Sequence, residues 1–209
     1  QEFAAQSQST NFTVNGRVVG SISSSTAGNA TDAGSSNADS ADVTISNLGE
    51  ENGFDSLNQG ETATATLNFA SQDGTASESY EYKITGTNDQ ANIANTGQTV
   101  FSEDSVSDNG SRAQDSVVKV SDVDYGQQEF AAQSQSANFT VDGRVLGSVS
   151  STTAENAIDA GSSNSDSADV TISNLGEENG FDSLNQGESV TATLNFASED
   201  GTASESYEY

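Results

Sequence analysis

The sequence contains no cysteine, histidine, proline, methionine or tryptophan. The absence of cysteine excludes disulfide bonds and thiolate chemistry. The absence of histidine removes the commonest general base and a main ligand of zinc. No apolar run approaches the ~20 residues that cross a bilayer as a helix. We therefore expect a chain that does not insert into a membrane.

Positive charge is also scarce. Five Lys and Arg residues stand against 32 Asp and Glu residues, so the net charge of the 209-residue chain is -27. A surface this acidic repels nucleic-acid phosphates and anionic lipid headgroups. Divalent cations suit such a surface because they screen the repulsion between carboxylates. The composition thus argues against nucleic-acid partners and favours a divalent cation as ligand.

The sequence repeats itself at an offset of 127 residues. The segment that begins at Gln1 returns at Gln128, and the segment that begins at Asp73 returns at Asp200. The 82 overlapping positions differ at 11, and most of these exchanges keep the chemistry of the side chain. Near-identical tandem modules indicate that repetition serves to lengthen the protein or to multiply its binding sites, since an enzyme seldom gains from identical neighbours. We therefore predict no enzymatic activity.

Alternating apolar and polar residues favour strands within each repeat. The stretch TATATLNFA, residues 62–70, places its apolar side chains on one face, and ESYEYKITG directs Tyr80, Tyr82 and Ile84 inward. Asn15-Gly16 predicts a type I′ hairpin turn, because both residues tolerate positive φ. Asp73-Gly74 has similar hairpin chemistry. About seven strands per repeat predict an all-β fold of tandem β-sandwiches.

A small polar segment, residues 23–42, interrupts this pattern and recurs at residues 150–169. Its composition predicts a long surface loop. The offset divides the chain into a first β-sandwich repeat at residues 1–90, lacking its N-terminal strands, and a second at residues 91–209, lacking its C-terminal strand. Two explanations stay open: a neighbouring chain supplies the strands, or this chain is part of a longer polypeptide with its export signal elsewhere.

The repeat resembles a known family along most of its length. The stretches SDVDYG, FTVDGRVLGS, LNQGESVTATLNFASEDGTASESYEY and ITGTNDQANI are similar to the VCBS repeat. The match leaves out the serine-rich insertion, and Gln90-Ala91 stands where the family usually continues with Ala-Pro. The resemblance implies immunoglobulin- or cadherin-like modules that extend giant bacterial surface adhesins. Such adhesins often carry RTX segments and are often exported by type I secretion.

The resemblance also implies calcium between successive modules, held by an Asn- and Asp-rich linker and by acids of the flanking modules. The matching candidates here are Asn88, Asp89, Glu103, Asp104, Asp122 and Asp124, with Asp108 and Asn109 as extras. Calcium takes about 6 to 8 oxygen ligands, which such a set could supply together with backbone carbonyls. If residues 122–124 are strand, their two carboxylates point to the same side.

A plainer interpretation of each candidate stays open. Asn88-Asp89 suits a turn, because both residues are strong turn formers. Glu103-Asp104 could protect an edge strand against mispairing. Asp122 and Asp124 could be solvated charges at the end of a strand.

The resulting expectation is an extracellular extender repeat whose partners are neighbouring identical repeats. It would project a distal binding region from a bacterial surface or into biofilm matrix for cell adhesion, with calcium stiffening the junctions between repeats. Two alternatives remain: a repeat that itself binds a glycan, a surface or a partner protein through residues 23–42, and a subunit of a self-assembling extracellular fibre joined by strand addition.

Overall fold

The computed structural model describes residues 3–26, 40–50, 52–106, 110–153, 165–176 and 178–209, and the side chains of all of these except 113–117 and 165. The chain divides into two compact units, Gln1–Asp89 and Gln90–Tyr209. Both units consist of antiparallel strands, and the only helices in these ranges are short 3₁₀ turns. The predicted all-β class is therefore confirmed. None of the helices in the same ranges is long and apolar enough to cross a membrane.

Unit 1 is a single five-stranded antiparallel sheet with the order β3-β2-β1-β4-β5. One 3₁₀ helix, Phe54–Ser56, packs beside it. The strands are β1 (Gln6–Val14), β2 (Arg17–Thr26), β3 (Asp42–Asn47), β4 (Thr62–Ala70) and β5 (Ser77–Thr85).

Unit 2 has a five-stranded sheet with the order β6-β7-β10-β9-β8 and a two-stranded sheet of β11 and β12. Side chains from both sheets form one apolar core. The strands are β6 (Asn92–Asn95), β7 (Ser111–Ser121), β8 (Gln133–Val141), β9 (Arg144–Thr153), β10 (Ser165–Asn174), β11 (Thr193–Ala197) and β12 (Ser204–Glu208). Its 3₁₀ helices are Glu103–Ser105 and Phe181–Ser183.

The hairpin turn predicted at Asn15-Gly16 is present, and Asp142-Gly143 forms the equivalent turn in unit 2. Asn15 and Gly16 have φ values of 48° and 82°, and Asp142 and Gly143 have 48° and 78°. Positive φ at both central residues is what a type I′ turn requires. The turn joins β1 to β2 and β8 to β9 as antiparallel neighbours. The prediction from this dipeptide is confirmed.

The connection between β4 and β5 is a loop, residues 71–76, organised by Asp73. Its carboxylate accepts hydrogen bonds from Ser71 Oγ at 2.7 Å, Thr75 Oγ1 at 2.8 Å and Thr75 N at 3.0 Å. The bond from the Ser71 hydroxyl, followed by those from Thr75, lowers the pKa of Asp73 to about 2. Gly74 has a φ of 71°. The Asp-Gly pair therefore joins two strands as predicted, through a longer loop than a two-residue turn.

The predicted alternation holds for β4 and partly fails for β5. Ala63, Ala65, Leu67 and Phe69 of β4 are buried in the core of unit 1. On β5, Tyr82 and Ile84 pack against that core, but Tyr80 is 53% exposed. β5 is the last strand of its sheet, and the Tyr80 ring packs against the Phe69 ring in an edge-to-face arrangement with 5.9 Å between ring centroids.

The loop predicted at residues 23–42 is too long. Strand β2 continues to Thr26, and in the second copy β10 begins at Ser165. Small hydroxyl residues can extend β2 because their side chains bond to neighbouring backbone carbonyls: Thr26 Oγ1 donates to Ala4 O at 2.6 Å, and Ser24 Oγ donates to Asp42 O at 2.7 Å. The remainder of the predicted loop, residues 27–39 and 154–164, lies outside the described residues.

The two units bury an identical sequence to different extents. Residues 40–49 and 167–176 are identical, SADVTISNLG. In β10, Val170 and Ile172 are 0% and 1% exposed, whereas Val43 and Ile45 of β3 are 36% and 48% exposed. β10 lies between β7 and β9, while β3 is the last strand of its sheet. The difference in burial therefore comes from the neighbouring strand and not from the residues.

Shortening the same isoleucine in the two units should have unequal effects. We expect Ile172→Ala to lower the free energy of unfolding of unit 2 by about 2–5 kcal/mol, because it leaves a cavity in a closed core. Ile45→Ala should cost unit 1 less than about 1 kcal/mol, since a surface substitution changes little. Hydrogen exchange at increasing denaturant, followed separately for peptides of each unit, measures both values. Equal losses in the two units would contradict the difference in burial.

Candidate metal site

The turn that follows β7 contains two buried carboxylates. The chain leaves the strand at Ser121 and turns through residues 122–128, DVDYGQQ. Asp122 is 4% exposed and Asp124 is 1% exposed. Asp122 Oδ1 accepts a hydrogen bond from Asp124 N at 2.8 Å, and Gln127 N donates to Asp124 O at 3.3 Å. These bonds hold the two aspartates close together in one compact turn.

The expectation that these aspartates occupy alternate positions of a strand is wrong. Both residues lie beyond the end of β7. The amide of Asp124 is bonded to the Asp122 side chain. Asp side chains commonly offer the backbone this local alternative to a strand ladder. The turn, and not the pleat of a strand, therefore sets the positions of the two carboxylates.

Two glutamine side chains in the same turn add oxygen atoms that the sequence analysis did not consider. Gln127 Oε1 and Gln128 Oε1 are both buried and accept no hydrogen bond. A buried acceptor left unsatisfied costs about 1–3 kcal/mol. Side-chain amide oxygens are also ordinary calcium ligands. The only signal for them in the sequence is their position within a few residues of Asp122 and Asp124.

The electrostatics of the turn favour a cation. Charges buried in protein are expensive, and two like charges repel more strongly there than in water. Both aspartates are more than nine-tenths buried, and they belong to a chain with a net charge of -27. A divalent cation would offset this repulsion and could be bound by the oxygens of both residue types. Calcium, which prefers carboxylate and carbonyl oxygens, fits this donor set.

The other predicted ligands lie elsewhere. Glu103 and Asp104 begin a 3₁₀ helix and are exposed. Asn88 and Asp89 are the last residues of unit 1, where Asn88 Nδ2 donates a hydrogen bond to Asp89 O at 2.9 Å. The further candidates at 108 and 109 lie outside the described residues.

Within the part of the chain that the structure describes, no three acidic, histidine or cysteine side chains gather as a metal site would need. Glu103 and Asp104 therefore do not join Asp122 and Asp124 in such a group. What the structure brings together is the aspartate pair, in the turn that also carries Gln127. Calcium binding by the whole predicted set stays a prediction.

Unit 2 also contains a cavity of about 680 Å³ beside its apolar core. Tyr209 is buried at its wall, and this burial raises the pKa of its phenol to about 12. Val190, also at the wall, lies just before β11. In unit 1 the equivalent residue, Ala63, is paired with Ile84 of β5. The cavity thus lies at a position that β5 occupies in unit 1. This correspondence argues against a dedicated ligand pocket.

Neither a scan against protein-family models nor a search of curated proteins found a match for this sequence. The resemblance to VCBS repeats rests on the four quoted stretches. The function that it implies is therefore a proposal, supported by the repeat, the fold and the acidic turn.

Neutralising the aspartate pair should stabilise unit 2 when divalent cations are absent. We expect the double variant Asp122→Asn, Asp124→Asn in EDTA to melt several degrees higher, because asparagine keeps the acceptor oxygen but removes the repulsion. About 1 kcal/mol would raise Tm by roughly 4 °C in a domain of this size. Circular dichroism melting measures the shift. The exposed pair Glu103→Gln, Asp104→Asn serves as a control and should change little. A lower Tm for the double aspartate variant would show that the repulsion is not the dominant effect.

Proposed function

We propose that this chain is a structural extender: tandem immunoglobulin- or cadherin-like β-sandwich repeats of a large secreted bacterial surface adhesin of the VCBS type. The array projects a distal binding region away from the cell for adhesion or biofilm formation. The repeat of 127 residues carries this proposal, because 71 of 82 overlapping positions are identical. Copies this similar add length without adding a new activity.

The fold supports a sandwich as the repeating module. In unit 2, a five-stranded and a two-stranded antiparallel sheet contribute to a single core. Packing of two sheets around one core is the usual way to bury both inner faces of an all-β domain. On β11 of this unit, for example, Leu194 and Phe196 are buried, and Thr193 and Asn195 alternate with them on the exposed face.

Calcium acts on such an array through linked equilibria. An ion that binds the folded turn at residues 122–128 better than the unfolded chain stabilises the fold. It also removes the repulsion between Asp122 and Asp124. The family resemblance adds Asn88, Asp89, Glu103 and Asp104 as proposed ligands, which lie outside this turn. The proposed result is a module that is stiffer in calcium than without it.

A self-assembling fibre is the second candidate. The observation that favours it is β3, an edge strand of unit 1 with exposed Val43 and Ile45. Edges of this kind can add a strand from another chain.

Calcium should raise the melting temperature of the chain. At a calcium concentration 100 times the dissociation constant, the stabilisation is about 2.7 kcal/mol, which shifts Tm by roughly 10 °C. Magnesium at the same concentration should act weakly, because it demands a small octahedral site and keeps its water. Melting in millimolar CaCl₂, MgCl₂ or EDTA measures the effect. In the variant Asp122→Asn, Asp124→Asn the calcium shift should disappear.

The outcome separates calcium from the extender role. Equal melting in CaCl₂ and EDTA would remove calcium from the proposal and leave the repeat as its sole support. A calcium shift that persists in the double variant would place the ion away from residues 122–128.

The extender role itself predicts that length grows linearly with repeat number. Arrays of two, four and six 127-residue repeats, measured by small-angle X-ray scattering in calcium, should show a maximum dimension that increases by the same amount with each added pair. Stiff modules joined end to end give this result, whereas a flexible chain of modules grows roughly as the square root of its number. A compact particle whose dimension barely changes would contradict the extender role.

A further inference from the structure

We propose that the open edge of β3 in unit 1 is a docking site for a segment with the sequence of residues 91–124, contributed by a second copy of the repeat. The inference rests on a comparison within the molecule and does not depend on the role of calcium or on the extender function. Unit 2 shows the same strand with that segment in place, and unit 1 shows the strand as an edge.

The pairing in unit 2 defines how the segment would bind. β10 pairs with β7 in antiparallel register, with Ser173 opposite Ser111 and Ile172 opposite Arg112. A bulge follows Val170, and the ladder continues with Ala168 opposite Val118. Because residues 40–49 repeat residues 167–176 without a change, the same register is available to β3. It would place Ile45 opposite the arginine of the incoming strand.

The apolar side chains of β3 are exposed, whereas the same side chains of β10 are covered by β7. Val43 and Ile45 are more than one-third exposed, whereas their equivalents are fully buried beside β7. The pairing also lengthens the strand: β10 has 10 residues and β3 has 6. Docking would bury these side chains and extend β3 toward Ala41, whose equivalent Ala168 is buried. Burial of apolar area is the main driving force for such an association.

Both strands end in an asparagine, Asn47 in β3 and Asn174 in β10, that can bond to the neighbouring segment. In unit 2, Asn174 N donates to Gly110 O at 2.9 Å, and Asn174 Nδ2 donates to Val106 O at 3.3 Å. The side-chain oxygens of the two asparagines have equivalent partners: Asn174 Oδ1 accepts from Phe181 N at 3.0 Å, and Asn47 Oδ1 accepts from Phe54 N at 2.8 Å. Asn47 Nδ2 points instead to Asp55 Oδ2 at 3.3 Å on the exposed surface. Docking requires that amide group to exchange one acceptor for another.

The chemistry of β7 suits this edge better than that of an arbitrary strand. Val118 and Val120 are fully buried on the core side of β7, and Lys119 between them is exposed. The strand also carries Arg112, so its two basic residues outnumber its single acid, Asp115. Over the whole of residues 91–124, six acidic residues stand against these two basic ones, so the segment has a net charge of -4. Its repulsion from the acidic chain is screened at 0.3 M salt.

A synthetic peptide of residues 90–124, labelled at its N-terminus, tests the proposal with the full 209-residue chain. We expect saturable binding by fluorescence anisotropy in 0.3 M salt. At saturation, amide exchange of residues 42–47 should slow at least tenfold, while exchange of residues 169–174 stays unchanged because β7 already covers them. The peptide variant Val118→Asn, Val120→Asn should bind at least tenfold more weakly. The matched variant Lys119→Gln should bind within about twofold of the unaltered peptide.

Several results would overturn the proposal. One is unchanged exchange at residues 42–47 with the unaltered peptide, and another is protection that falls on residues 169–174 instead. Equal binding of the peptides with and without the two valines would show that binding is nonspecific. Protection of residues 42–47 by the chain alone as its concentration rises, with a dimer in light scattering and no effect of peptide, would assign the edge to a second β3 and not to the β7 sequence.

Discussion

The pairing of β7 with β10 decides which apolar side chains of this repeat are buried. An identical ten-residue sequence is a core strand in unit 2 and an exposed edge in unit 1. At about 25 cal/mol per Å² of apolar surface, covering two β-branched side chains is worth a few kcal/mol, a sizeable part of the stability of a domain. The shared core of the two sheets in unit 2 depends on the same strand, because Val118 and Val120 lie at 0% exposure within it.

Features encoded by adjacent residues could be predicted from the sequence. The positive φ values at Asn15-Gly16 follow from the chemistry of two residues, and the burial pattern of β4 follows from its period of two. Features that depend on a distant strand could not. Val43 and Tyr80 alternate as core residues should, yet both are exposed because each lies on an edge strand. Alternation indicates which face of a strand is apolar, and the neighbours determine whether that face is covered.

The candidate site shows the same division. The aspartates at 122 and 124 could be selected from the sequence through the family resemblance, but their local structure could not. Residues 122–124 form a turn and not the expected strand, because Asp124 N donates its hydrogen bond to Asp122 Oδ1. Gln127 was missed because an uncharged amide oxygen becomes notable only when burial leaves it without a hydrogen bond. The relevant signal is thus a property of the folded chain and not of residue type.

The turn and the covering strand belong to one continuous segment, and this links the two proposed interactions. Residues 122–128 begin directly after Ser121, the last residue of β7, which pairs with Ser165 of β10. An ion held by the turn restricts the end of β7, so binding of the ion and pairing of the strand favour each other. Because coupling free energies are reciprocal, a strand that is already paired also presents a better ordered turn to the ion. Calcium would then act on the repeat by securing the strand on which its core depends, and stiffness between repeats would follow from order within each one.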